Sequence, residues 1–339
     1  KKIKDEDYYL LQAKVEPGNS SGIQLSPTIQ ATKSNYLRKH GGKRTNYLNF
    51  FTQKNKKNRV ISNYRLSEQG TRYLNKSNRN ILIDLKNQKI KKLNNFIWVN
   101  KKNLKYLLNK KNLLNMDTIS VISCSIKKNK FDAPFYKFSN LLRAIKNVKT
   151  NKKVFKKIIS FKELKSWKIF NSIIFDTKKR FFSILFLKIK SNSREVKQWS
   201  QPIISDHYIS LNGFLIKEIN NTNHYLLNVV LEPGQIYPKF TSTISIKNYR
   251  PSINNVKIKF FNFFKRKKVI KFINSDEGGR FYKNETHNLI SFVSKKDKLI
   301  LPQNFKWASH NQVIELIKKN LLTIEARNLF ASFNIDKIH

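Results

Sequence analysis

The chain runs to 339 residues and carries 68 Lys plus Arg against 21 Asp plus Glu, a formal net charge of +47. An excess that large repels itself in a free globule, so a polyanionic partner is expected, bound with steep salt dependence through counterion release. The single cysteine, Cys124, excludes an internal disulfide framework and a Cys-rich zinc site. It reads as a small buried hydrophobe. The longest apolar run, Phe181 to Leu187, falls far short of the roughly 20 residues a membrane-spanning helix needs.

At 40% hydrophobic the chain can bury two or three cores. Lys, Asn, Ile, Phe and Tyr are over-used, as an AT-rich coding sequence produces and as organelle genomes commonly show. The chain starts at Lys1 without a presequence-like segment, and an organelle-encoded protein would need none.

In chain order, Lys1 to Ser34 is expected to be an extended arm with a turn at Pro17-Gly18. Tyr36 to Arg79 is dense in charge, with His40-Gly41-Gly42-Lys43-Arg44 and the run from Lys54 to Arg59, and suits a segment ordered by a nucleic acid. Ile81 to Asn115 contains a short basic amphipathic helix around Lys105 to Lys111. Phe138 to Ile159 is a second helix, with Leu141, Leu142, Ile145 and Val148 at helical spacing. A basic helical segment, Ser193 to Gln198, then precedes a hairpin from Tyr208 to Ile219. Its turn is placed at Asn212-Gly213, a pair that tolerates positive φ. Thr241 to Lys271 is strand-like, Val256 to Phe260 alternating apolar and basic residues, and Lys265 to Lys268 continues the charge. Asp276-Glu277-Gly278-Gly279 reads as a turn, and Asn311 to Phe333 as one amphipathic helix. No internal repeat is recognised. Trp167, Trp199 and Trp307 read as packing residues.

The segments Ser193-Arg194-Glu195-Val196-Lys197-Gln198, His207-Tyr208-Ile209-Ser210-Leu211-Asn212-Gly213 and Glu232-Pro233-Gly234-Gln235-Ile236 stand in the order of a helix, a strand with turn, and a closing turn. That series resembles the RNA-binding module of the small-subunit ribosomal protein four family. His40 to Tyr47 and Leu301 to Trp307 resemble that family's amino-terminal and closing segments. The resemblance implies an α+β fold: a small helix–helix–β-hairpin RNA-binding module flanked by a helical, insertion-rich basic domain and a mixed carboxy-terminal segment, with extended arms. The expected divisions are 1–80, a basic arm; 81–178, an organelle-specific helical insertion; 179–240, the hairpin module; and 241–339, a strand and helix extension.

The same resemblance implies rRNA contacts at Arg194, Lys197, Gln198, His207, Asn212 and Lys217, and through the arm at His40, Lys43, Arg44, Lys54, Lys56, Lys57 and Arg59. The implied partners are the five-prime domain of small-subunit rRNA, neighbouring small-subunit proteins and messenger RNA near its path into the subunit, with no membrane. The setting would be a mitochondrial ribosome in the matrix, in preference to a plastid one. No catalytic residue, metal or cofactor is expected. Asp84 lacks the Gly-Arg-Leu context of a pseudouridine synthase, and no phosphate loop, paired-carboxylate site or His-Glu metal signature is recognised. The alternative is a fragment of an organellar RNA polymerase large subunit, suggested by Lys14-Val15-Glu16-Pro17-Gly18 and Glu232-Pro233-Gly234.

Overall fold

The run Glu-Asp-Tyr-Tyr-Leu-Leu-Gln-Ala-Lys-Val at residues 6–15, rich in aromatic and branched side chains, forms a ten-residue strand whose middle, Leu10 to Gln12, is buried. The amino-terminal region is therefore core sheet rather than an arm. The computed structural model describes residues 1–3, 6–52, 58–86, 88–151, 156–192, 194–249 and 259–338.

The first part comprises β1 (Lys2–Ile3), β2 (Glu6–Val15), β3 (Ile23–Pro27), α1 (Lys33–Tyr36), α2 (Leu48–Thr52), β4 (Arg59–Ser67), β5 (Ser77–Asp84), β6 (Phe96–Asn100), α3 (Lys101–Leu108) and α4 (Met116–Ser123). A middle section follows, with α5 (Phe138–Asn151) and the strands β7 (Trp167–Phe170), β8 (Ile173–Asp176), β9 (Phe182–Lys190) and β10 (Gln198–Asp206). The last part holds β11 (Ser210–Ile219), β12 (Thr222–Val230), β13 (Lys239–Thr241), β14 (Ile244–Ile246), β15 (Val269–Ser275), β16 (Glu285–Phe292), β17 (Phe305–Ser309), α6 (His310–Lys318) and α7 (Ile324–Phe333).

The first and last parts repeat one plan. β2 pairs antiparallel with β3 and β6, as β12 does with β13 and β17. β4 and β5 form a hairpin, as β15 and β16 do. Single bonds recur too. Thr28 Oγ donates to Leu10 O at 2.5 Å, and Thr243 Oγ to Leu226 O at 2.6 Å. Leu25 is bridged in parallel to Leu114, and Phe240 to Leu322, each bridge lying just before a helix capped by Asn115 or Thr323.

The two copies exchange contacts. Val15-Glu16-Pro17-Gly18 of the first packs on Asp276-Glu277-Gly278-Gly279 of the second, with Gly18 N donating to Gly278 O at 2.7 Å. Reciprocally, Leu231-Glu232-Pro233-Gly234 packs on Glu68-Gln69-Gly70-Thr71, with Gly234 N donating to Gly70 O at 2.7 Å. α4 lies against α7 across the same junction, and a single hydrophobic core takes Leu11, Leu66 and Leu114 from one copy and Tyr225, Phe240 and Phe330 from the other. The chain does carry an internal repeat, diverged until only short motifs survive.

Several expectations are corrected. The fold is a mixed α+β structure with several extended sheets, in place of a small hairpin module with flanking arms. Residues 194–197 form bends leading into β10 rather than a helix; Ser193 lies outside the described residues. The hairpin expected within Tyr208 to Ile219 is absent: Asn212-Gly213 lies inside the single strand β11, which pairs with β12 across a turn at Asn220-Asn221, with φ of 50° and 55°. Gly213 serves packing instead: a Cβ there would lie 2.7 Å from the Phe264 ring. The carboxy-terminal helix is two helices, because Asn320 adopts φ 56° and Leu322 is drawn into its bridge before Thr323 caps α7. The second predicted helix is present as α5, and the basic helix near Lys105 as α3, which buries Leu104 and Leu108. Of Val256 to Phe260, residues 256–258 lie outside the described residues.

Candidate functional site

The junction between the first copy's Glu16 turn and the second copy's Glu277 turn opens into a cleft of about 1310 Å³. At its floor stand four groups from four elements. Near the end of β2 stands Lys14, whose Nζ donates to Gln30 Oε1 at 3.0 Å. Gln30 follows β3, and its Nε2 donates both to Asp117 Oδ2 at 2.6 Å and to Glu277 Oε1 at 2.9 Å. Asp117 sits in the first turn of α4. Glu277 sits in the loop between β15 and β16, with Arg280 Nε 3.1 Å from its Oε2. One amide thus spends both its hydrogens tying two carboxylates together.

The loop reaches this position because Gly278 lacks a side chain: a Cβ there would lie 2.8 Å from Asn19 N and from Glu16 Cβ. β10 supplies a wall. Gln201 Nε2 donates to Gly279 O at 2.6 Å, and Trp199 Nε1 donates to Gln201 Oε1 at 2.7 Å. Arg194 donates to Val15 O at 2.8 Å and Glu16 Oε1 at 3.3 Å, its guanidinium 5.6 Å from the Trp199 ring centroid. Tyr8, Tyr36 and Trp98 add aromatic lining.

Burial sets the electrostatics. It holds the Glu277 carboxyl well above its ordinary range, with the Asp117 charge adding to the effect, and it raises Asp117 and Glu16 likewise. Burial and the neighbouring Arg194 lower Lys14. Two carboxyls pushed upward beside an ammonium pushed downward is the arrangement general acid–base chemistry requires.

The repeat supplies an internal control. At the second junction Gln69 stands where Glu277 stands, and an amide cannot take up a proton. Val230 replaces Lys14 and Ser245 replaces Gln30. That junction is closed by ion pairs and hydrogen bonds. Arg72 meets Asp206 at 2.6 Å with both side chains buried, Lys239 Nζ donates to Ser67 Oγ at 2.7 Å, and Lys247 lies 3.4 Å from Glu325. Burial also raises carboxyls at this junction, Glu232 to about 8 and Glu68 to about 7, so what sets the first junction apart is its open cleft and the Gln30 amide that joins Asp117 to Glu277.

The residues expected to meet RNA do not converge. Lys197 and Gln198 are exposed at the start of β10, and His207 lies 3.3 Å from Ser183 Oγ. Asn212 is buried, donating to Asn288 Oδ1 and Glu325 O, both at 2.9 Å. Lys217 is half-buried on β11 opposite His224. Lys43 and Arg44 are exposed, Lys43 N donating to Glu195 O at 2.9 Å and Arg44 to Asn49 at 2.6 Å. Arg59 is exposed, 3.4 Å from Asp84. Lys54, Lys56 and Lys57 lie outside the described residues. Only Arg194, His40 and Arg59 line the cleft. Cys124 is half-buried and burial pushes its thiol to about 11, so it is no thiolate. Among the described residues no cluster of His, Cys, Asp and Glu has a metal-holding arrangement.

Lys14, Gln30, Asp117, Glu277 and Arg280 were invisible to a search for familiar signatures. The signal lay in two pairs of matching motifs: Val15-Glu16-Pro17-Gly18 with Leu231-Glu232-Pro233-Gly234, and Ser67-Glu68-Gln69-Gly70-Thr71-Arg72-Tyr73 with Ser275-Asp276-Glu277-Gly278-Gly279-Arg280-Phe281.

Two joined carboxyls raised by burial beneath a roomy cleft resemble the sites of acid–base enzymes more than a nucleic-acid surface. The sequence pattern of the NDP-hexose 2,3-dehydratase family matches residues 1–125 and 138–333, and the chain belongs to that family. It is similar to three proteins named dTDP-4-dehydro-6-deoxy-alpha-D-glucopyranose 2,3-dehydratase. That of Saccharopolyspora spinosa is 28% identical over 96% of this chain and 73% of its own length. That of Amycolatopsis orientalis is 26% identical over 96% and 70%. That of Streptomyces violaceoruber is 29% identical over 96% and 76%. A solved structure of an ADP compounds hydrolase overlays with a TM-score of 0.30 at 12% identity, over 51% of this chain and 94% of its own, too loosely to bear on the fold.

Family membership corrects the functional expectations. The chain is an enzyme and not a ribosomal protein or a polymerase fragment. The expected partners, rRNA, messenger RNA and ribosomal neighbours, are overturned with it, since the family and these relatives are named for dehydrating nucleotide sugars.

Proposed function

We propose that the chain removes water across C2 and C3 of a nucleoside-diphosphate 4-keto-6-deoxyhexose, with thymidine as the nucleoside. The C4 ketone makes the C3 hydrogen acidic and places the C2 hydroxyl β to the enolate. Removing the C3 proton, expelling the C2 hydroxyl as water and ketonising the resulting C3 enol yields a 3,4-dione with no net redox change. The reaction needs one base, one acid and a cation for the enolate oxygen. Glu277 is the base: its raised affinity for a proton suits it to take one from C3, and Arg280, 3.1 Å from its Oε2, pairs with it once it is ionised. Asp117, at the floor without an ion-paired cation, carries the proton that the leaving hydroxyl takes. Lys14 faces the C4 oxygen as it gains charge.

The observation that carries this reading is the Gln30 amide joining Asp117 to Glu277 in the cleft of a chain from this family. The test is incubation of the purified chain with dTDP-4-keto-6-deoxyglucose, followed by mass spectrometry. Loss of the mass of one water is expected. An unchanged substrate, with the protein folded and the cleft able to bind dTDP, would refute the proposal.

A further inference from the structure

Gln30 spends both hydrogens of its side-chain amide on the floor of the cleft. Its Nε2 donates to Asp117 Oδ2 at 2.6 Å and to Glu277 Oε1 at 2.9 Å, and its Oε1 accepts from Lys14 Nζ at 3.0 Å. The orientation of the amide is fixed from both sides. An ammonium can only donate and an ionised carboxylate can only accept, so the oxygen faces Lys14 and the nitrogen faces the acids. Lys14 also reaches the Gln30 backbone O at 3.4 Å. The two acids are joined behind the amide as well, since Glu277 N donates to the sulfur of Met116, the residue before Asp117, at 3.1 Å. Both carboxyls converge on one point, and the amide nitrogen occupies it.

The second copy shows where such a group is dispensable. Glu325 stands second in α7 as Asp117 does in α4, and Gln69 stands for Glu277. Gln69 Nε2 donates to Asp276 Oδ1 at 3.3 Å, and Glu325 lies 3.4 Å from Lys247. In place of Gln30 is Ser245, whose single hydroxyl hydrogen could not serve two acceptors. The pair made of one carboxyl and one amide goes without a bridge, and the pair made of two carboxyls has one.

Two carboxyls in direct contact share one proton and titrate as a unit, so neither is dependably the acid or the base. We propose that Gln30 is a positioning residue, a spacer oriented by Lys14 that keeps Asp117 and Glu277 one amide apart so that they act as separate acid and base. The roles of the two acids rest on the function proposed above; the spacing does not. With both amide hydrogens spent, Gln30 has none to give a substrate, which sets it apart from the groups that meet the reacting carbons. The charged groups acting on the pair from the surrounding elements are Lys14 of β2, Glu16 beyond it, Glu68 after β4, Arg327 of α7 and Arg280 of the Glu277 loop. Arg194, before β10, acts in turn on Lys14 and Glu16. A substitution at Gln30 leaves all of these in place.

The test is a carbon-13 NMR titration of the full chain labelled at its Asp and Glu carboxyls, with Asp117→Asn and Glu277→Gln identifying the two resonances. Gln30→Met keeps the length of the side chain and removes both hydrogens. In it the higher of the two titration steps should rise by about one pH unit or more, the scale of one hydrogen bond to a charged group. The alkaline limb of the pH–rate profile for dTDP-4-keto-6-deoxyglucose should rise with it, and kcat should fall about tenfold or more while KM holds. Gln30→Leu gives the same reading should methionine unfold the chain. Titration steps left unmoved by the loss of the amide would overturn the spacer, as would a fall in kcat with the alkaline limb in place. If the steps move as expected while the wild-type chain dehydrates nothing, the spacer stands and the proposed reaction falls. If the chain dehydrates its substrate and the steps do not move, the reaction stands and the spacer falls.

Discussion

Replacing Glu277 by Gln separates the roles of the two floor carboxyls. The side chain keeps its shape, and its half-buried neighbours Gln30 and Arg280 remain, but the site loses its base. Loss of a positioned general base costs about 10²–10⁴-fold in rate. Stability should hold, since burial already disfavours the charged form of Glu277 and glutamine keeps its shape. The informative assay is proton NMR of the substrate in deuterated water, which follows exchange at C3 and elimination at C2 together. Glu277→Gln should lose both. Asp117→Asn, which keeps the base and removes the acid, should retain C3 exchange while elimination falls by a similar factor. Persistent C3 exchange in Glu277→Gln would refute its assignment as base. Loss of exchange in Asp117→Asn alone would show the two roles to be reversed.

Arg327 is fully buried, donating to Ser120 Oγ at 3.1 Å and Ser67 O at 2.9 Å. Arg327→Met should lower the unfolding free energy by about 3–5 kcal/mol in a urea titration, because it strips the cation from a region holding Glu68 and Glu325. Burial raises Glu68 to about 7 and Glu232 to about 8 from 4.5. The folded chain then binds more protons than the unfolded one between these values, so stability should fall as pH rises from 5 to 8. Glu232→Gln should flatten the fall, and an unchanged slope in thermal melts at several pH values would count against the buried carboxyl as its source. Gly213→Ala should cost about 1–3 kcal/mol by crowding Phe264 and Ile244, whereas a glycine in a surface turn would show little of that loss by chemical denaturation.

Local order was legible where one periodicity ruled. The stretch Tyr208 to Ile219 reads as extended chain and is one, though as a single strand and not a hairpin, and Leu141, Ala144 and Val148 give α5 its buried face. The turn was misplaced because Asn212-Gly213 and Asn220-Asn221 carry similar turn chemistry, and the buried bonds of Asn212 decide between them. The site was hidden by the charge balance. The excess positive charge is spread largely over exposed lysines such as Lys102, Lys110 and Lys296, while function gathers on a few carboxyls removed from water. Asp276-Glu277-Gly278-Gly279 is a turn, as expected, yet nothing local announces that Glu277 meets Asp117, 160 positions earlier. That proximity exists only because two copies of one plan swap their turns.

The reciprocal swap also constrains ancestry. A lone copy of this plan would present a turn with nothing to receive and a loop with nothing to offer it, so it could close a cleft only against a twin. Joining the twins in one polypeptide removed the need for them to be identical. The two junctions now differ: Gln69 stands at one where Glu277 stands at the other, and ion pairs close the first while a cleft opens over the second. The covalent link leaves each junction free to carry its own side chains, one filled with ion pairs and the other open to solvent.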